Sequence, residues 1–151
     1  MKVDKHLLRK TSLNLKLSAT LEQMYDHYYD NDEFDRYLRV AMRLVKKGAN
    51  INITNSSNET LSRMVAQKFA DVNPLNISRT YSFDYAFKQI EKYGDALSYL
   101  ICNGCLKDEE KSGVHIEDYV KQACPSGHKI GLLGLIERSK EIDKKIKDAT
   151  K

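Results

Sequence analysis

Two prolines, Pro74 and Pro125, are the only ones in 151 residues, and no stretch alternates apolar and polar residues for long enough to read as a strand. That pairing argues against an all-β chain and leaves helical periodicity as the organising signal. Long apolar runs are also missing. None approaches the roughly 18 residues that cross a bilayer, so no membrane insertion is expected. Met1 to Lys16 scatters Lys2, Lys5, His6, Arg9 and Lys10 among leucines. It has no uninterrupted apolar stretch and no small-residue cleavage site, so no secretory signal is expected. Cysteine is scarce and odd in number, three in all, which argues against a closed disulfide framework and for a reducing, cytoplasmic setting. The glycosylation-like triplets at Asn52, Asn55, Asn58 and Asn76 then read as features of an Asn-rich loop.

Catalytic signatures are equally sparse. There is no Gly-rich phosphate loop, no Gly-x-Ser-x-Gly elbow and no paired-carboxylate arrangement, and the sequence implies neither an enzyme nor a cofactor. The formal charge of +4 is too mild to argue for nucleic acid by itself; a solvated surface accounts for it.

What is present is apolar spacing of three and four. Leu21, Met24, Tyr25 and Tyr28 form one run; Leu38, Ala41, Leu44 and Val45 form a second, which ends at Gly48, a residue suited to the left-handed close of a helix. Leu61, Met64, Val65 and Phe69 mark another helix, with Thr60 as its N-cap. Phe83, Tyr85, Ala86, Phe87 and Ile90 follow, then Leu97, Leu100 and Ile101, stopping at Asn103-Gly104. Ile116, Tyr119, Val120 and Ala123 precede Pro125, and Leu132, Leu135 and Ile136 close the series. The rhythm of helix, short turn, helix and longer loop predicts three or four stacked hairpins. In residues 137–151, Glu141–Lys145 and Asp143–Lys147 make i,i+4 pairs beside a narrow Ile142/Ile146 stripe, as a charged C-terminal capping helix should.

Within this pattern, Gly48-Ala49-Asn50-Ile51-Asn52 resembles the Gly-Ala-Asp-Val-Asn hairpin of ankyrin repeats. Asn58 stands where that family has a left-handed Gly, Thr60 matches the Thr opening its inner helix, and Ala66 matches its small packing residue. Leu61 and Ser62 depart from the family's Pro-Leu. Gly127-His128 is similar to its turn between inner and outer helices, and Ala96–Gly104 to an outer helix running into the next hairpin. The 56 residues from Gly48 to Gly104 fit neither one repeat nor two, so the register between residues 67 and 95 is irregular. A chain of this length reads as a single domain over residues 1–151. By that resemblance it would be an all-α, ankyrin-like solenoid with an N-terminal extension or cap (1–19), repeats (20–136) and the capping helix (137–151).

The resemblance further implies a non-enzymatic protein-binding module, such as a host-directed effector or an inhibitor of one protein partner. An effector would act in host cytoplasm or nucleus. Contacts are expected at the hairpin tips and inner-helix face: Asn50, Asn52, Thr54, Asn55, Ser57 and Arg63, with Lys107, Asp108 and Glu110 at an equivalent tip.

Three constellations compete with that reading. Cys102, Cys105, Cys124 and His128 have spacing compatible with a tetrahedral Cys3His zinc site, which would make the chain a zinc-stabilised or basic-patch nucleic-acid binder. An ankyrin arrangement would instead separate the two halves of that set by about 15 Å. A cysteine nucleophile would pair Cys124 with His115 or His128, without a recognisable signature. Asp30-Asn31-Asp32-Glu33 lacks the Gly and terminal Glu of a calcium loop and reads as an acidic helix start. Arg36, Arg39, Arg43, Lys46 and Lys47 share one helix face. It reads as solvated, or as a dock for acidic groups. Tyr25, Tyr28, Tyr29, Phe34 and Tyr37 read mainly as core, with any exposed Tyr pair an interaction hot spot.

Overall fold

The computed structural model describes residues 5–72, 83–107 and 115–150, with Phe83 described by its backbone alone. Every regular element among them is a helix: α1 (Lys5–Asp26), α2 (Asn31–Lys46), α3 (Leu61–Asp71), α4 (Phe83–Cys102), α5 (Ile116–Gln122) and α6 (Gly127–Ala149). The one sheet-like pairing among the described residues is an isolated antiparallel bridge between Thr54 and Thr60. The chain is all-α. It divides into two compact units, Met1–Met64 and Val65–Lys151, and the boundary falls inside α3.

In the first unit α1 packs on α2. Leu13, Leu17, Leu21 and Met24 recur every three or four residues on α1, and Phe34, Leu38, Ala41 and Val45 do so on α2; all are buried. Burying each of the larger side chains contributes about 1.5–3 kcal/mol. The connection is short: α1 ends at Asp26, so Tyr28, expected in its apolar run, lies in the turn instead. Asp30 caps α2, its Oδ1 accepting from the Glu33 N–H at 3.2 Å. Asp32 and Glu33 lie at the positive end of the helix and Arg43 and Lys46 at the negative end. The Asp30–Glu33 cluster is thus a helix start.

Both helix ends expected at glycine have the same chemistry. Gly48 has φ +115°; its N–H donates to Val45 O at 3.0 Å and the Ala49 N–H to Leu44 O at 3.0 Å. Gly104 has φ +96°, with its own N–H on Ile101 O at 3.3 Å and the Cys105 N–H on Leu100 O at 3.1 Å. Each glycine supplies the left-handed residue, and the small residue after it turns back under the helix it closes. Ala49 and Cys105 are both buried for that reason.

The second unit departs from a hairpin rhythm. α4 runs unbroken through Gly94. A helical glycine costs only about 1 kcal/mol, and here it admits a neighbour. A Cβ on Gly94 would lie 3.1 Å from Cδ2 and 3.3 Å from Cβ of His128, so α6 approaches α4 at this point. Gly127-His128 is likewise no interhelix turn but the first turn of α6. The turn lies at residues 123–126, where Ala123 is extended (ψ 155°) ahead of Pro125, which disfavours helix at the preceding residue. Ser126 caps α6, its Oγ accepting from the Lys129 N–H at 3.1 Å. Lys129 Nζ reaches back to the last carbonyls of α5, Lys121 O and Ala123 O, each at 2.8 Å.

No helix break separates residue 136 from 137, nor 19 from 20. The segments expected as a cap and an extension are continuous with α6 and α1. The irregular register between residues 67 and 95 falls partly outside the described residues.

Candidate functional site

The loop joining α2 to α3 in the first unit is held by side chains that satisfy backbone. Asn50 folds over itself, its Oδ1 accepting from the Asn52 N–H at 3.0 Å, while the Ile53 N–H donates to Asn50 O at 3.2 Å. A second asparagine organises the tip. Asn55 Oδ1 accepts from the N–H groups of Ser57 (2.9 Å) and Glu59 (3.0 Å), its own N–H donates to Glu59 O at 3.1 Å, and its carbonyl accepts from the Asn58 N–H at 3.0 Å. Asn58 takes φ +60°, the left-handed conformation expected of it. Thr60 Oγ1 then caps α3, accepting from the Arg63 N–H at 3.2 Å.

Four ties fasten this loop to α1. Asn14 Oδ1 accepts from the Asn50 N–H at 2.6 Å. Ser18 Oγ donates to Thr54 O at 3.1 Å, and Asn55 Nδ2 donates to Leu21 O at 3.2 Å. The Glu22 carboxylate accepts from the Ser56 N–H. Hydrogen bonds from the Ser56 hydroxyl and N–H hold the Glu22 carboxyl below its usual range. Asn14, Ser18 and Glu22 are spaced i, i+4, i+8, one face of α1.

These bonds sort the expected contact residues. Asn50, Thr54 and Ser57 are exposed, and Asn52 is half-buried. Asn55 is not a presented tip residue; it is buried because its amide is spent on the loop and on α1. Arg63 is half-buried and paired with Glu59 at 3.0 Å. Lys107 is exposed; Asp108 and Glu110 lie outside the described residues.

At the end of α1, one turn beyond Glu22, the aromatic residues depart from the core reading. Only Phe34 is buried. Tyr28 packs edge-on against Phe34 (centroids 5.7 Å) and against Tyr29 (5.1 Å), and Tyr29 itself is 94% exposed, with Tyr25 at 45%. Tyr37 stacks on His27 at 5.7 Å and lies 4.6 Å beneath the Arg36 guanidinium. Arg36 also binds Glu33 at 2.6 Å, and that bond raises its pKa further. Apolar periodicity assigns tyrosines to a helix face. It carries no sign that a tight turn at residues 27–30 lifts Tyr29 out of the packing. Arg39, Arg43, Lys46 and Lys47 are exposed along α2.

The Cys3His set is not assembled. Among the described residues no three His, Cys, Asp or Glu side chains are placed to share a metal ion. Cys102 is exposed and Cys105 is buried beyond it. His128 packs at Gly94, eight residues and thus about 12 Å back along α4 from Cys102. Two open grooves in the second unit, about 550 and 670 Å³, are lined mainly by lysine and acidic side chains. His115 lines the larger.

The chain matches no family model, no curated protein and no solved structure. No described helix is long and apolar enough to cross a membrane.

Proposed function

We propose that the first unit is a non-enzymatic protein-binding module related to ankyrin repeats, acting inside cells as an effector or as an inhibitor of one partner. The observation that carries this reading is the combination of a fixed polar loop with an exposed aromatic corner one helical turn away. A loop tied to α1 at four points loses little further conformational freedom when a partner docks, which removes one of the main costs of association. Tyr25 and Tyr29 offer broad, amphipathic area of the kind that dominates interface energetics. The left-handed Gly48 and Asn58 and the Thr60 cap support the ankyrin comparison, in which such loops present the recognition surface.

The test is capture of protein from cell lysate on the immobilised chain, with nuclease and high-salt arms. A protein ligand should survive both treatments. Tyr25→Ala/Tyr29→Ala should weaken its capture by about thirtyfold, the scale of a hot spot, while Glu91→Ala on the exposed side of α4 should leave it unchanged. Retention of nuclease-sensitive material alone, or of a protein indifferent to the tyrosines, would refute the proposal.

A further inference from the structure

The opposite end of α1 is built for a different surface. The buried residues of α1 begin at Leu13, so Lys5–Ser12, its first two turns, project beyond the packing and are exposed throughout. Leucine is nevertheless concentrated there: Leu7 is 63% exposed, Leu8 56% and Leu15 68%. Leu8 and Leu15 are seven residues apart and lie on one line of the helix, with Leu7 and Thr11 along its edge. Lys5, Arg9 and Lys16, at i, i+4 and i+11, form a second line about 100° round from the first.

The charge is of one sign. From Lys5 to Leu21 there is no Asp or Glu; Lys5, Arg9, Lys10 and Lys16 are the only fully charged residues between Asp4 and Glu22. The C-terminal end of α6 makes the contrast. It also exposes two apolar residues, Ile142 and Ile146, but intersperses Glu141, Asp143 and Asp148 with its lysines, as a solvated helix does. An acid-free helical segment with a leucine line flanked by long cationic side chains suits a surface that is apolar beneath and anionic on top. Leucines sink toward acyl chains while Lys and Arg extend their heads to phosphates. A polynucleotide would engage the cations and leave the leucines in water.

We propose that the N-terminal half of α1 docks the protein onto the surface of bilayers carrying anionic headgroups, lying in the interface without crossing it. The site is distinct from the aromatic corner: Leu8 and Tyr25 are seventeen residues apart on α1, about 25 Å.

The experiment is flotation of the full chain with vesicles of phosphatidylcholine alone or containing about 30 mol% phosphatidylserine, with a double-stranded DNA arm. The expected result is binding to the anionic vesicles and not to phosphatidylcholine. Lys5→Gln/Arg9→Gln should weaken it about thirtyfold, and Leu8→Gln/Leu15→Gln by about tenfold or more. All four side chains are exposed, so both variants should keep the wild-type circular dichroism spectrum. Absence of anionic-vesicle binding, equal binding to phosphatidylcholine, or binding indifferent to the leucines would each overturn the proposal. So would DNA binding that matches the vesicle affinity and survives loss of the leucines.

Discussion

Replacing Asn55 by Ala removes one side chain and unties the loop in two directions. Its Oδ1 satisfies the Ser57 and Glu59 N–H groups, and its Nδ2 reaches Leu21 O across 34 residues. A typical intramolecular hydrogen bond contributes about 0.5–1.5 kcal/mol net, more where a buried group is left without a partner. Ser57 is exposed, so water replaces its lost acceptor; Glu59 is half-buried and loses more. Summed over three bonds, Asn55→Ala should cost about 2–3 kcal/mol, read as a shift of the urea midpoint at constant slope. Amide exchange should accelerate at Ser57 and Glu59, whose acceptor is gone, and hardly at all within α2. Asn55→Asp sharpens the test: it keeps the acceptor for both N–H groups but turns an oxygen toward Leu21 O, so it should fall between Ala and wild type. A loss below about 0.5 kcal/mol for the alanine variant, the level of an ordinary surface change, would refute the account of this loop.

Two further outcomes follow from the second unit. Gly94→Ala should destabilise despite the roughly 1 kcal/mol gained in helix propensity, because the new Cβ meets His128 Cβ at 3.3 Å and that atom is fixed to α6. Against a His128→Gly background, which removes that Cβ and the ring, the same substitution should stabilise by about 1 kcal/mol, and a urea-midpoint cycle reads the change of sign. The Glu117 carboxyl is held below its usual range, first by the hydrogen bond from Lys140 (2.8 Å), against partial burial, with Lys121 adding to it. A carboxyl depressed in the folded state contributes stability above its unfolded pKa and loses it as pH falls through the folded one. Wild type should therefore exceed Glu117→Gln in stability at neutral pH and converge with it in acid; a gap constant with pH would exclude the linkage.

The parts of this structure legible in sequence are those governed by local backbone chemistry. Gly48, Asn58, Thr60 and the Asp30–Glu33 start each act on atoms within a few residues, so residue type alone predicts them. Gly94 shows the limit. Nothing in the residues around it marks its role, which is to admit His128 from a helix more than thirty residues later. Asn55 fails for the same reason: composition marks it as a soluble tip, and only its bond to Leu21 explains why it is buried. Leu8 and Leu15 match the spacing of a core stripe, and periodicity carries no signal of where the packing on α1 stops. Ser126, just ahead of a helical run, has the residue type of a common cap, whereas the likeness of Gly127-His128 to a turn places that turn one step too late.

The four ties between the loop and α1 share one arithmetic property. Their partners lie 36, 36, 34 and 34 residues apart, so the loop ascends α1 at about one helical turn for every three of its own residues. The part that sets this offset is α2, whose length works as a ruler. Adding one residue to it would rotate everything after it by about 100° and slide it 1.5 Å, missing all four partners together. In related chains the exposed arginines of α2 are therefore free to change in kind, while α2 itself should be conserved in length, with insertions confined to segments outside residues 14–56.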